Sequence, residues 1–305
     1  MGVKDLMRVL KAEAPNSITA HGSWGVVAGK RVAVDATLFL VTAVKTLGPN
    51  SRVRLADVYV QRFHSQLLAA GAADIVHVFD GPHKPQKAKA HTERSSARER
   101  LKTKQAQKQK ARKQETNAVK QADLDVDLQK LEVQLRTVTP DEVQETKDLL
   151  RSQPKCTVTR AMGDAEQECV RMALAGQTDI VFSNDTDAIV FGAPRLLRCV
   201  NKDIQEITHA AVLEGLRCNA EQLVEAALAA GCDYCDKLPG IGLPTALTRL
   251  RQHGTLARWR SEDPKIDAFL RAREQQWSAA RDLMLSCLYT SQTRMDAYIP
   301  AEFVF

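Results

Sequence analysis

Apolar and polar positions along the chain follow two different periods. Between residues 3 and 12 the apolar side chains recur at the spacing of a short amphipathic helix. Arg31-Val-Ala-Val-Asp35 is instead a compact β-branched run, preceded by the turn residues Gly29 and Lys30 and ending in an acid. Such runs fit buried strands. A helix is expected from Leu38 to Leu47, stopped by Gly48-Pro49-Asn50, and another over about 55–70. Asp74-Ile-Val-His-Val-Phe-Asp80 and Asp179-Ile-Val-Phe-Ser-Asn-Asp185 repeat the strand pattern, each closing on an acid. Strands alternating with helices predict an α/β fold: a central, mostly parallel sheet with right-handed crossovers, flanked by helices.

From 84 to 120 that patterning stops. Lys, Gln, Arg and Ala dominate, so helix propensity is high but there is almost no face to bury. Leu124, Leu128, Leu131, Leu135 and Val138 then restore a helical apolar stripe. The middle of the chain therefore predicts helices that project from the sheet. From Asn219 onward the sequence reads as helical, with Asp236-Lys-Leu-Pro-Gly-Ile-Gly242 as an internal turn.

Charge sharpens this picture. The 305 residues carry 43 Lys+Arg and 37 Asp+Glu, a net +6. Residues 84–120 alone hold 13 Lys/Arg and 3 Glu, a balance of +10, so the other 268 residues sum to −4. A basic stretch of this kind reads as a solvated helix, a localisation signal or a phosphate-binding surface. With 44% apolar residues the chain is too apolar for general disorder. No apolar run reaches the ~18 residues that span a bilayer. The amino terminus shows no signal-peptide pattern, so a soluble intracellular protein is expected, without a membrane partner. Seven scattered cysteines fit free thiols in a reducing compartment. Cys232 and Cys235 form a lone CxxC with no second pair and no neighbouring His.

Candidate chemistry lies at the strand ends. In open parallel sheets ligand groups gather outside the carboxyl ends of the strands, where Asp35, Asp80 and the pair Asp185/Asp187 stand. Asp164-Ala-Glu166 and Asp233 add three more acids. Any one of them alone reads as a helix cap. Seven carboxylates converging on one region would repel one another without cations, and their all-oxygen character suits hard divalent ions such as Mg2+ or Mn2+. Two such ions a few ångströms apart activate a water and stabilise the attacking and leaving oxygens of a phosphodiester.

The order of these motifs resembles the flap endonuclease / XPG family of structure-specific 5′ nucleases. The resemblance runs from Met1-Gly2-Val-Lys-Asp-Leu to about residue 250. It rests on Val-Ala-Val-Asp35-Ala, Val-Phe-Asp80-Gly, Asp164-Ala-Glu166-Gln-Glu-Cys, Asn-Asp185-Thr-Asp187-Ala-Ile-Val-Phe-Gly and Gly-Cys-Asp233-Tyr-Cys…Pro-Gly240-Ile-Gly242. It implies a PIN-like or resolvase-like sheet with a helical arch insertion and a C-terminal helix–two-turn–helix region. It also implies that Asp35, Asp80, Asp164, Glu166, Asp185, Asp187 and Asp233 bind two Mg2+ or Mn2+ ions. Lys87 and Arg94, 7 and 14 residues after Asp80, match the family's Lys and Arg facing the scissile phosphate. The arch would hold the phosphates of a single-stranded 5′ end. Gly240 and Gly242 match the turn that approaches a duplex phosphate, where a K+ ion is commonly held, and Gly2 matches the family's N-terminal glycine near the active site. The implied partner is DNA with a 5′ flap or a similar junction, the implied state a monomer, and the implied location the nucleus, with the mitochondrion as the alternative.

Several features depart from the family pattern. Asp164 stands where the flap endonuclease branch has Glu. Only 45 residues separate Asp35 from Asp80, where flap endonucleases carry a longer wedge, and Val41 replaces a stacking Tyr, with Phe39 close by. Leu243-Pro-Thr-Ala follows the turn in place of the usual basic residue, and no clear sliding-clamp box is present. A 5′→3′ exonuclease or RNA-directed nuclease on the same core, and a catalytically silent nucleic-acid-binding scaffold, remain as alternatives. The chain divides into an N-terminal nuclease region (1–83), the basic arch (84–140), an internal nuclease region (141–218) and the helix–two-turn–helix region (219–305), forming one integrated nuclease domain.

Overall fold

The computed structural model describes residues 3–48, 51–81, 88–201 and 203–292. Its centre is a sheet of seven strands in the order β1-β7-β6-β5-β2-β3-β4. β2 (Arg31–Asp35), β3 (Asp74–Phe79), β4 (Cys156–Arg160), β5 (Ile180–Phe182) and β6 (Arg195–Val200) run parallel, whereas β7 (Asp203–Thr208) lies antiparallel to both β6 and β1 (Ile18–His21). The three strands expected from sequence are the centre of this sheet. β5 is shorter than anticipated and ends at Phe182; Ser183 still donates its N–H to the Leu197 carbonyl of β6, while its hydroxyl serves the site.

Period-two alternation divides the core between the two faces. Val32, Val34, Ile75, Ile180 and Phe182 point to one side, where they meet α2 (Ala36–Val44), α3 (Leu55–Tyr59) and α4 (Ser65–Ala69). Ala33, Val76, Val78 and Val181 point to the other, against α1 (Leu6–Glu13), α8 (Ala165–Leu174) and the C-terminal helices. Burial on both faces is why these strands read as continuous apolar runs. Between α3 and α4 the helix widens into one π-helical turn, Val60–His64.

Two helices leave this body. α5 (Ala88–Gln114) and α6 (Ala118–Leu135) form an antiparallel pair, and α5 alone is roughly 40 Å long at 1.5 Å per residue. Ion pairs Arg112–Asp125 (2.9 Å) and Lys108–Asp127 (2.6 Å) zip them together. The stripe expected over Leu124–Val138 is helical only to Leu135, where α6 ends; Val138 lies past it against the sheet-side core. Within α6 only Leu131 is fully buried, since α5 offers mainly lysine stems and small residues to cover it. At its base, Lys45 donates to the carbonyls of Gln134 (2.5 Å) and Arg136 (2.7 Å), capping the end of α6 and fastening it to α2.

After α7 (Pro140–Arg151), α9 (Asp187–Val190) and α10 (His209–Leu216), the chain is helical as expected: α11 (Ala220–Ala230), α12 (Leu243–His253), α13 (Leu256–Glu262), α14 (Pro264–Arg271) and α15 (Glu274–Gln292). α11 and α12 flank the turn that carries Asp233 and Gly240. No described helix is long and apolar enough to cross a membrane.

Candidate active site

The sheet runs outward from β2 in both directions: β3 and β4 follow on one side, β5 and β6 on the other. The boundary between β2 and β5 is therefore a switch point, where connections diverge and leave a crevice at the carboxyl ends. Asp35 ends β2 and Asp80 follows β3, while Asp185 stands three residues after β5. A cleft of about 320 Å³ opens there, lined by Asp35, Asp80, Asp164, Glu166, Asp185 and Asp233 together with Arg94.

Each acid is held by its own local device. Asp35 caps α2, accepting from the Leu38 N–H (3.2 Å) and from the Ser183 hydroxyl (2.8 Å). Asp80 accepts from the Ala165 N–H (2.8 Å), while its own N–H donates to Thr37 Oγ1 (2.9 Å). Gly81 makes this approach possible: a Cβ there would sit 2.1 Å from the Ala161 carbonyl, so only glycine lets the strand end lie against the 161–163 loop. That loop delivers Asp164 as the N-cap of α8 and Glu166 in its first turn, where the helix dipole favours negative charge. The Tyr234 hydroxyl lies 3.3 Å from both Asp164 Oδ2 and Glu166 Oε1 and steadies the pair from the other side.

Asp187 is placed differently from the other six. It is buried behind the cleft wall, accepts from the Val3 N–H at 2.6 Å, and faces Asp185 and Asp233 electrostatically rather than lining the opening. Glu168, left out of the site on sequence grounds, is engaged with Arg171 at 2.9 Å.

The electrostatics express crowding. Burial, with Asp80 as a like-charged neighbour, pushes the Asp35 carboxyl up to about 7. Burial and then Asp185 push Asp187 well above the ordinary carboxylate range. Among the described residues no basic side chain pairs with either of these acids; Arg94 contacts Asp233 at 2.5 Å instead. The compact three-donor set found among the described residues is His64, His77 and Cys156, elsewhere in the core. The donors around the cleft are all carboxylate oxygens, and such a set is what hard divalent cations fit.

Of the other expected residues, Arg94 reaches the cleft from the first turns of α5. Lys87 and Gly2 lie outside the described residues. Gly240 adopts φ +72° with open space around it, whereas Gly242 is the N-cap of α12 at φ −107° and needs no glycine for its conformation. Arg251 on α12 is committed to the Leu216 carbonyl and to Glu13 (3.0 Å), in keeping with the weak basic signal read after the turn. Sequence reasoning missed Thr37, Ser183, Tyr234 and the Val3 amide. Tyr234 stood inside a recognised motif; the other three act through contacts distant in sequence.

Comparison with known proteins shows what the chain is similar to. Residues 1–102 match the XPG N-terminal domain and residues 155–233 the XPG I-region. Flap endonuclease 1-A of Oryza sativa subsp. japonica is 31% identical over 271 residues, 84% of this chain and 68% of the relative. Flap endonuclease 1 of Neurospora crassa is 31% identical over 286 residues, 87% of this chain and 68% of the relative. The fold is shared with the catalytic core of Rad2 in complex with DNA substrate (TM-score 0.63, 20% identity, 98% of this chain and 84% of that one). It is also shared with flap endonuclease-1 from Methanococcus jannaschii (TM-score 0.60, 23% identity, 93% and 84%). By its matching domains and its identity to these relatives, the chain belongs to the flap endonuclease / XPG family of nucleases.

Proposed function

We propose that the chain is a metal-dependent, structure-specific 5′ nuclease, acting on branched or 5′-single-stranded DNA near the junction with duplex during replication and repair. One observation carries the reading: six carboxylates and Arg94 line a single cleft at the sheet switch point, at the root of a basic helix pair. Asp35, Asp80, Asp164, Glu166, Asp185, Asp187 and Asp233 would hold two Mg2+ or Mn2+ ions. When bound, these would activate water and stabilise both the attacking and the leaving oxygen of the phosphodiester.

The chain's own groups supply the rest. Ser183 and the Leu38 amide orient Asp35; Tyr234 keeps Asp164 and Glu166 in register. Arg94, and Lys87 by resemblance, would donate to the non-bridging oxygens of the scissile phosphate as charge develops there. Products would carry a 5′-phosphate and a 3′-hydroxyl. Arg100, Lys110 and Lys113 of α5 are exposed and make no ion pair with a described residue, which suits them to the phosphates of a single strand. The turn with Gly240 and Gly242 would meet the duplex backbone, with K+ on its carbonyls, and Gly2 would lie near the acids. We assign a monomer in the nucleus, with the mitochondrion as the alternative.

The short span of 45 residues from Asp35 to Asp80, with Val41 in place of a stacking Tyr, supports a second reading as a 5′→3′ exonuclease on gapped or nicked DNA. Cleavage of end-labelled flap, nicked, gapped and RNA–DNA substrates with Mg2+ or Mn2+ separates the two. Endonucleolytic products at the flap base support the first reading; mononucleotide ladders from a nick support the second. Cleavage unaltered by the double substitution Asp185→Ala, Asp187→Ala refutes the metal site. DNA binding without any cleavage by the wild type would point to the silent scaffold.

A further inference from the structure

We propose that Cys232 and Cys235 are a modification site: a hydroperoxide converts them to a reversible disulfide that tightens the turn carrying Asp233 and Tyr234 and so disables the acid cleft. The bond stands on the geometry of the turn alone; its effect on cleavage rests on the nuclease reading above.

The lone CxxC motif, which the nuclease function does not use, occupies the two ends of a four-residue turn. Cys232 and Cys235 face each other as an isolated antiparallel bridge, with Asp233 and Tyr234 at the tip. Residues opposed in this way have Cα atoms roughly 4.5–5.5 Å apart, inside the range of about 4.4–6.8 Å that a disulfide spans. The two sulfurs are 3.9 Å apart. Bond formation at about 2.05 Å therefore asks for a closure of roughly 2 Å across a turn already folded in the right sense.

The pair is also reachable. An open cavity of about 290 Å³ is lined by both cysteines and by Asp233, Lys4, Glu93 and Lys237, ample for a small peroxide. The thiol of Cys232 attacks the hydroperoxide, the O–O bond breaks, one oxygen stays on sulfur as a sulfenic acid, and an alcohol (or water, from hydrogen peroxide) leaves. The Cys235 sulfur then attacks the sulfenic sulfur; the S–O bond breaks and the hydroxyl leaves as water with the proton of the second thiol. Two thiols and one hydroperoxide thus give one disulfide, one alcohol or water, and one further water, with two electrons passing from sulfur to peroxide. A dithiol reductant reverses the bond by exchange.

Both residues at the tip are part of the site. Asp233 lines the acid cleft and holds Arg94, and the Tyr234 hydroxyl sits between Asp164 and Glu166. Closing the sulfurs from 3.9 Å to a bond reorients the side chains on both flanks of this tip and shifts it, and misplacement by about 1 Å costs on the order of 10²-fold in catalysis.

The test treats the full chain with hydrogen peroxide and follows three quantities on the same samples. Intact mass should fall by about 2 Da, with a Cys232–Cys235 cross-link after free thiols are blocked. Flap cleavage should fall at least tenfold and return with dithiothreitol. Mn2+ affinity should weaken in parallel, a readout that survives failure of the nuclease reading. Cys232→Ser should keep basal cleavage and Mn2+ binding and lose the response of both to peroxide. Absence of the cross-link overturns the proposal. So does a cross-link that changes neither Mn2+ affinity nor cleavage, or an equal loss of both in Cys232→Ser.

Discussion

Replacing Asp35 with Asn is expected to stabilise the metal-free protein while abolishing its chemistry. Asp35 is fully buried at the end of β2, and burial beside Asp80 holds its carboxyl up to about 7 against an ordinary value of 3.8. Each unit of displacement is about 1.4 kcal/mol, so ionised Asp35 costs the folded state on the order of 4 kcal/mol above pH 7. Asn keeps the shape but has one acceptor oxygen for the Leu38 amide and the Ser183 hydroxyl, which returns about 1 kcal/mol. A net gain of about 3 kcal/mol is therefore expected at pH 8 in EDTA, read by urea unfolding. The folded value lies above the unfolded one, so the penalty is absent below about pH 4, grows through pH 4–7 and is complete above. The advantage of Asp35→Asn should shrink accordingly as pH falls to 4.5. Saturating Mn2+ should stabilise the wild type more than the variant, while cleavage falls by roughly 10³-fold or more, several kcal/mol of barrier. A variant no more stable than wild type at pH 8 in EDTA would refute the account of the cleft as crowded charge awaiting a cation.

Three further outcomes are expected. Arg94→Ala should lower the single-turnover cleavage rate by roughly 10²-fold with little change in DNA affinity, because its charge acts on the phosphate in the transition state. Lys45→Ala removes the donor to the carbonyls at the end of α6; hydrogen exchange over residues 128–138 should quicken about tenfold, for a local loss of 1–2 kcal/mol, with the sheet unaffected. Combined substitution of Arg100, Lys110 and Lys113 by Ala should reduce the slope of log affinity for single-stranded DNA against log salt by about 2, with thermal stability unchanged. An unaltered slope would remove these three residues from the strand path.

What could be read from the sequence divides along physical lines. β2, β3 and β5 were legible because both of their faces are buried, which leaves apolar runs that need no neighbour to be recognised. β1, β4, β6 and β7 were not. Cys156-Thr-Val-Thr-Arg160 and Asp203-Ile-Gln-Glu-Ile-Thr208 carry polar side chains that make sense only beside a partner, as when Glu206 meets Arg195 (2.6 Å) and His21 (2.9 Å). The acids could be found because strand ends are where ligands gather, but their difference in depth could not. Asp187 lies behind the wall because α9 begins at it and the chain's own third residue closes over it, a contact spanning 184 positions. Thr37 and Ser183 are invisible for the same reason: each hydroxyl joins the site only when a distant residue, Asp80 or Asp35, arrives beside it.

At the acid cleft the two charge populations that sum to +6 meet in the pair Arg94–Asp233. Asp233 belongs to the acid cleft and Arg94 to the basic helix α5, so this pair joins arch to body on the substrate side, as Lys45 does at the opposite root. Arg94 is half-exposed and Asp233 partly so, which makes the pair weak and exchangeable. An incoming phosphate offers Arg94 a second anion, while a divalent cation offers Asp233 a second positive partner. Either alone competes with the existing pair; together they replace both halves of it. Cation and phosphate binding are then expected to favour each other through this one exchange, and it is the turn between Cys232 and Cys235 that decides whether Asp233 is in place to make it.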